Sequence, residues 1–219
     1  MATKQILSDL VALYSAQTGQ TVRVESVGGV DAAKRVQAGE AFDLVILARN
    51  AMDNLQAAGG LQAGGIKNLV VSGVAVAVPS GTPHPDISSE SALKQAVLNA
   101  RTLGYSTGPS GVQLAQLFAR WGIAETLQTR IVQAPPGVPV GALIAKGDVA
   151  LGFQQLSEML NVQGIDMIGM LPKDIEIMTT FSGAVAATCQ NTAPAAALLD
   201  FLASPACAQI TRQNGMAPA

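Results

Sequence analysis

The apolar positions of this chain switch repeatedly between a helical period and short continuous runs. Ile6, Leu7, Leu10, Val11 and Tyr14 recur at helical spacing, so residues 3–17 are expected to form an amphipathic helix with Thr3 at its N-cap and Gly19 at its end. Thr21–Val27 alternates and reads as a strand, with Val22, Val24 and Ser26 on one face. Gly28-Gly29 turns the chain into a helix over 31–38, and Phe42–Leu47 is an almost unbroken apolar run suited to a buried strand. A third helix spans 50–58. The order helix, strand, helix, strand, helix predicts a parallel α/β layout.

The same alternation continues. Residues 68–79 are strand-rich with a break at Gly73, Ser88–Ala100 reads as a helix, and Leu103–Tyr105 as a short strand. A helical run Val112–Trp121 follows. Strands are expected at 127–132, 149–153, 166–168, 175–178 and 182–187, with helices at 138–146, 155–160, 194–202 and 205–213. Pro194 suits a first helical position, where no backbone N–H is needed.

Between two of these elements lies Tyr105-Ser106-Thr107-Gly108-Pro109-Ser110-Gly111. A helix start presents unpaired N–H groups and the positive end of the helix dipole, which favours an anion. Ser106, Thr107 and Ser110 add hydroxyl donors, and Gly111 admits close approach. The plain alternative is a strand-to-helix turn with Ser110 as N-cap. Gly28-Gly29 and Pro136-Gly137 repeat the pattern before two other helices, and each could equally be a tight turn.

Composition narrows the chemistry. The 219 residues suffice for one large domain or two small lobes; 49% are hydrophobic, 13% charged and 4% aromatic, and the net charge is −2. Nothing recruits nucleic acid by charge or by base stacking, and no apolar run reaches the roughly 18 residues of a membrane span. Cys189 and Cys207 lack metal-ligand spacing and only one histidine is present, so neither a metal site nor a cofactor is expected. The two cysteines could pair, or stay buried thiols in an alanine-rich core. His84, in a proline-rich loop, reads as solvent-exposed, and Met167, Met170 and Met178 as core fillers. The N-terminus has no charged segment followed by an apolar stretch, so the chain as it stands is expected to be cytoplasmic, or periplasmic as a trimmed mature form.

Taken together, the segments resemble type 2 periplasmic binding proteins, specifically the molybdate-binding branch. Four stretches carry the resemblance: Ala38–Ala48, Tyr105–Gly111, Lys146–Phe153, and Leu202–Cys207 with Gly215. The resemblance implies two α/β lobes, each a mostly parallel sheet flanked by helices, joined by two crossover strands. Lobe one would comprise 1–74 plus 184–219 and lobe two 75–183, with hinge closure near Gly73 and Thr180–Gly183 over an interlobe cleft. Ligand contacts would come from Thr3, Ser26, Gly28, Gly29 and Arg49 in lobe one. Ser106, Thr107, Ser110, Gly111, Gly137, Val138 and Gln154 would contribute from lobe two.

Two departures from that family stand out. Its usual strand before the first helix is not evident, since only Ala2-Thr3-Lys4 precede the helix. Gly28-Gly29 also replaces a serine pair, and Arg49 stands where that branch has an acidic residue. An arginine fork pairs with a carboxylate or phosphate in bidentate fashion, although Arg49 could equally be a solvated helix-start charge. The expected function is therefore binding of a small oxyanion or carboxylate, with an ABC-type permease as a partner if the chain serves uptake. The alternative is an isomerase of a small polycarboxylate such as aconitate. Proton transfer needs a base, and Glu25, Asp31 and Glu158 are the carboxylates near the expected site, none in a recognisable catalytic motif.

Overall fold

The computed structural model of the chain describes residues 1–219 except Gly64 and Pro136. The chain divides into two compact units, Met1–Ser72 with Thr179–Ala219, and Gly73–Met178. Sequence reasoning puts the crossings at 74/75 and 183/184. Val74 lies inside the second unit because its N–H donates to Ile177 O (3.1 Å) and its carbonyl accepts from Leu171 N (3.1 Å).

The first unit opens with α1 (Lys4–Thr18), α2 (Gly29–Gln37), β1 (Leu44–Ala48) and α3 (Arg49–Ala57), then enters β2 (Lys67–Pro79). The second unit holds the far part of β2, α4 (Glu90–Asn99), β3 (Leu103–Ser106), α5 (Pro109–Arg120) and α6 (Ala124–Leu127). It continues through β4 (Ile131–Ala134), α7 (Val140–Ala145), β5 (Leu151–Gln155), α8 (Leu156–Met159) and β6 (Ile165–Met170). The chain returns along β7 (Met178–Val185) and finishes with α9 (Thr192–Leu202), α10 (Ala208–Gln213) and the short β8 (Ala217–Pro218).

Each unit is built on a sheet covered on both faces, which explains the continuous apolar runs. In the first unit Val45 and Leu47 of β1 pack with Val36, Met52 and Leu55 of α2 and α3. The intervening Leu44 and Ile46 face the cluster of Ile6, Leu10 and Tyr14 with Leu198, Leu199 and Leu202. In the second unit Val74, Val76 and Val78 join Leu93, Leu103, Phe118 and Phe153, while Ala75 and Ala77 join Val140, Ile144 and Val149. Phe118 makes an edge contact with Phe153 at 6.2 Å between ring centres, which anchors α5 on the sheet.

Two expectations change. Thr21–Val27 forms no strand: residues 19–28 carry no regular structure, and Val24 and Val27 are exposed at 40% and 36%. A strand exists only by pairing, and among the described residues none pairs with this segment. The first unit's described ladders, β1 with β7 and β2 with β8, are accordingly antiparallel, whereas β3 lies parallel to both β4 and β5 in the second.

The methionines also differ from expectation, since Met167, Met170 and Met178 are exposed at 43%, 37% and 42%. A β-carbon on Gly73 would stand 2.6 Å from Met170 Cε and 3.0 Å from Met178 Sδ, so these two side chains cover the bare backbone of β2.

Candidate functional site

The lobe-two candidates meet at one end of the second unit's sheet. Parallel pairing aligns Ser106 with Ala134 at the ends of β3 and β4, and Tyr105 with Phe153 on β5. Ser106 follows Tyr105 and Gln154 follows Phe153, each at the carboxyl end of its strand. The chain turns into α5, α7 and α8 from this end, which is where open α/β sheets bind ligands.

The loop after β3 is the centre of this arrangement. Gly108, not Ser110, is the N-cap of α5, Pro109 takes the first helical position, and no side chain caps the start. The Gly108 N–H reaches Ser106 Oγ at 3.4 Å. Thr107 is exposed, Ser106 half-buried, and Ser110 only 7% exposed. Gly111 has a packing role. A β-carbon there would lie 1.8 Å from the Ser106 carbonyl oxygen, so only glycine lets α5 begin this close to the strand end. By contrast α4 has a serine cap, with Ser89 accepting from the Ala92 N–H.

The third expected helix start is closed. Gln154 is 3% exposed, and its Oε1 accepts from Val140 N at 2.8 Å and from Gly141 N at 3.4 Å. Ala142 N is taken by Pro139 O and Val138 N by Pro135 O, so the donors expected from this segment serve its own turns. Gly137 is exposed with φ +81°, a turn conformation, and Pro136 lies outside the described residues. Glu158 is half-buried, and burial pushes its carboxyl above the ordinary range.

In the first unit, Gly29 begins α2 beside the end of β1, where a β-carbon on it would sit 3.8 Å from Leu47 Cδ2. Arg49 begins α3 immediately after that strand. Thr3 is the N-cap of α1, and the chain's first amino group donates to Val27 O at 3.4 Å, which sets this end near Ser26 and Gly28. None of these three helices has a side-chain cap. Arg49 is already engaged: its Nε donates to Asp53 Oδ1 at 2.8 Å and its Nη1 to Asn68 Oδ1 at 3.1 Å. Asn68 Oδ1 also accepts from the fully buried Ser182 at 2.9 Å. Asn68 and Ser182 come from distant strands, and no local motif marks them.

The remaining candidates lie elsewhere. His84 is exposed and meets Asp166, which also accepts from Ser80 and from the Gly81 N–H. Cys189 and Cys207 are buried free thiols, each pushed up by burial. No group of three metal-ligating side chains exists among the described residues, and no single helix there is long and apolar enough to cross a membrane.

This chain belongs to the bacterial extracellular solute-binding protein family, whose profile matches residues 1–217. Its fold is that of a type 2 periplasmic binding protein of the molybdate-binding-like kind. The periplasmic molybdate-binding protein of Azotobacter vinelandii superposes with a TM-score of 0.81 at 18% identity, over 98% of this chain and 95% of that one. PEB3 of Campylobacter jejuni, solved with L-phospholactate bound, gives 0.75 at 16% identity, over 100% and 96%. In sequence, the chain is 38% identical over 185 residues to an aconitate isomerase from a Pseudomonas species, covering 84% of this chain and 70% of that protein.

Proposed function

We propose that this chain binds a small anionic solute through the loop after β3. The observation that carries this reading is the uncapped start of the 12-residue α5 with Ser106, Thr107 and Ser110 around it, at the carboxyl ends of three parallel strands. Free N–H groups, the helix dipole and hydroxyl donors favour oxygen-rich anions without requiring a metal. Within the first unit, Thr3, Ser26, Gly28, Gly29 and Arg49 are the candidate residues. Gln154 and the 137–138 turn act as support, not as ligand donors.

One feature favours a carboxylate over a metal oxyanion: the relative at 38% identity, whose named substrate is a polycarboxylate. That relative also favours a second reading, isomerisation of a small polycarboxylate. A permease would be the partner if the protein serves uptake.

The test is a panel of molybdate, tungstate, sulfate, phosphate, citrate and the two aconitate isomers, read by thermal shift with NMR analysis of products. Ligand that binds only the native state raises the melting temperature. A shift with a carboxylate and no turnover is the expected result for a binder. Turnover establishes the isomerase, and no shift with any anion overturns both readings.

A further inference from the structure

We propose that Met167, Met170 and Met178 form a thioether site for a soft monovalent cation, copper(I), at the β6 rim of the second unit's sheet. All three belong to that unit, and the site does not depend on the anion reading.

Strand register brings two of them together. On a regular strand, residues three apart point to opposite faces, so Met167 and Met170 would be separated by the sheet. β6 carries a bulge instead: Met170 stands opposite Ala75 and Met167 opposite Ala77, with the register shifting between Val76 and Ala77. Gly169, beside the extra residue Ile168, takes φ +150°, a conformation open to glycine. Residues directly opposite on antiparallel strands share a face, and Ala75 and Ala77 are two apart on β2, so both methionines lie on one face. Gly73 is the next position in that row, and it gathers the third methionine. A β-carbon there would have Met170 Cε at 2.6 Å and Met178 Sδ at 3.0 Å. Thioether side chains from β6 and β7 therefore converge over one bare glycine, with Met167 further along the same row.

Core packing does not account for this cluster. A methionine that fills a gap is buried, as Met52, Met159 and Met216 are, whereas these three are exposed. The row lies at a rim, since among the described residues β6 pairs only with β2. The donors select the ion. Thioether sulfur is uncharged and polarisable, which suits copper(I) and not magnesium or calcium. The one carboxylate of β6, Asp166, stands opposite Val78 on the other face and is engaged by Ser80, Gly81 and His84. β6 thus presents sulfur and no oxygen side chain to the proposed site. Binding forms sulfur–metal bonds and displaces water; no electron moves, and no proton is released because a thioether carries none.

The experiment titrates the chain, labelled with [methyl-13C]methionine, with silver(I) in chloride-free buffer as an air-stable stand-in for copper(I). Copper(I) affinity is then measured anaerobically by competition with a chromophoric chelator. One equivalent of silver is expected to shift the methyl signals of Met167, Met170 and Met178 together and to leave those of Met52, Met159 and Met216 in place. Met170→Leu keeps the volume, so the melting temperature should move little while copper(I) affinity falls by about 10-fold or more. Met167→Leu should weaken binding in the same way, and it keeps the test valid if Met170→Leu fails to fold. Affinity should be flat between about pH 5 and 8, where a histidine site would weaken on acidification. Replacing Cys189 and Cys207 by alanine should leave it unchanged. The proposal is overturned if the three signals do not move together, if both leucine variants bind as tightly as wild type, or if binding disappears with the cysteines.

Discussion

Gly111 and Ser106 are in backbone contact: a β-carbon at position 111 would stand 1.8 Å from the Ser106 carbonyl oxygen. Because the obstructing atom is backbone, Gly111→Ala must displace the start of α5. The expected cost is about 3 kcal/mol, at the upper end of the usual overpacking range, together with loss of anion binding. Urea unfolding and calorimetry on the same variant check both, and an unchanged urea midpoint would contradict the packing assigned to Gly111.

Ser106→Ala combined with Ser110→Ala removes two hydroxyls from the proposed anion site. Hydrogen bonds to charged groups contribute about 1.5–3 kcal/mol each, so affinity for any anion that binds should fall by about 100-fold or more. The ligand-free melting temperature should move little. Unchanged affinity would place the binding site elsewhere.

Gln154→Met keeps the volume but removes the acceptor for the Val140 and Gly141 N–H groups. Leaving buried donors unpaired should destabilise the chain by about 1–3 kcal/mol, seen as a lower urea midpoint with an unchanged slope. A midpoint equal to wild type would show that the helix start does not depend on this side chain.

Asp166 accepts from the Gly81 N–H, His84 and Ser80, and these bonds hold its carboxyl below the ordinary carboxylate value. A depressed carboxylate stabilises the fold above its unfolded pKa, about 4, and that contribution is lost as pH falls through the lower folded value. Asp166→Asn should therefore be less stable than wild type near neutral pH, with the gap closing under acid. Denaturation curves between neutral and strongly acidic pH measure it, and a gap that widens on acidification would refute the sign.

Much of this was legible in local sequence. The helix after Ser106–Gly111, the buried β1 and the helices around them follow from apolar spacing and from glycine and proline placement, which act over a few residues. The segment 21–27 alternates as well as any strand here, yet forms none, because alternation shows which side chains would face a core and not whether a pairing partner exists. Ser110 looked like a cap and is not one; Pro109 at the first helical position moves the cap to Gly108. Arg49 looked free, but Asn68 and Asp53 hold it, and Asn68 lies on another strand.

By itself the sequence determined the α/β class, the glycine-marked turns and the hydroxyl-rich helix start, because each depends on backbone conformation over a single turn. Only the tertiary structure decided what those turns have left to offer. Gln154 reaches across 13 or 14 residues to the N–H groups of Val140 and Gly141, closing one helix start, while the start of α5 has no side-chain cap. Whether a donor is available depends on which distant acceptor the fold brings to it, and residue order does not contain that distance.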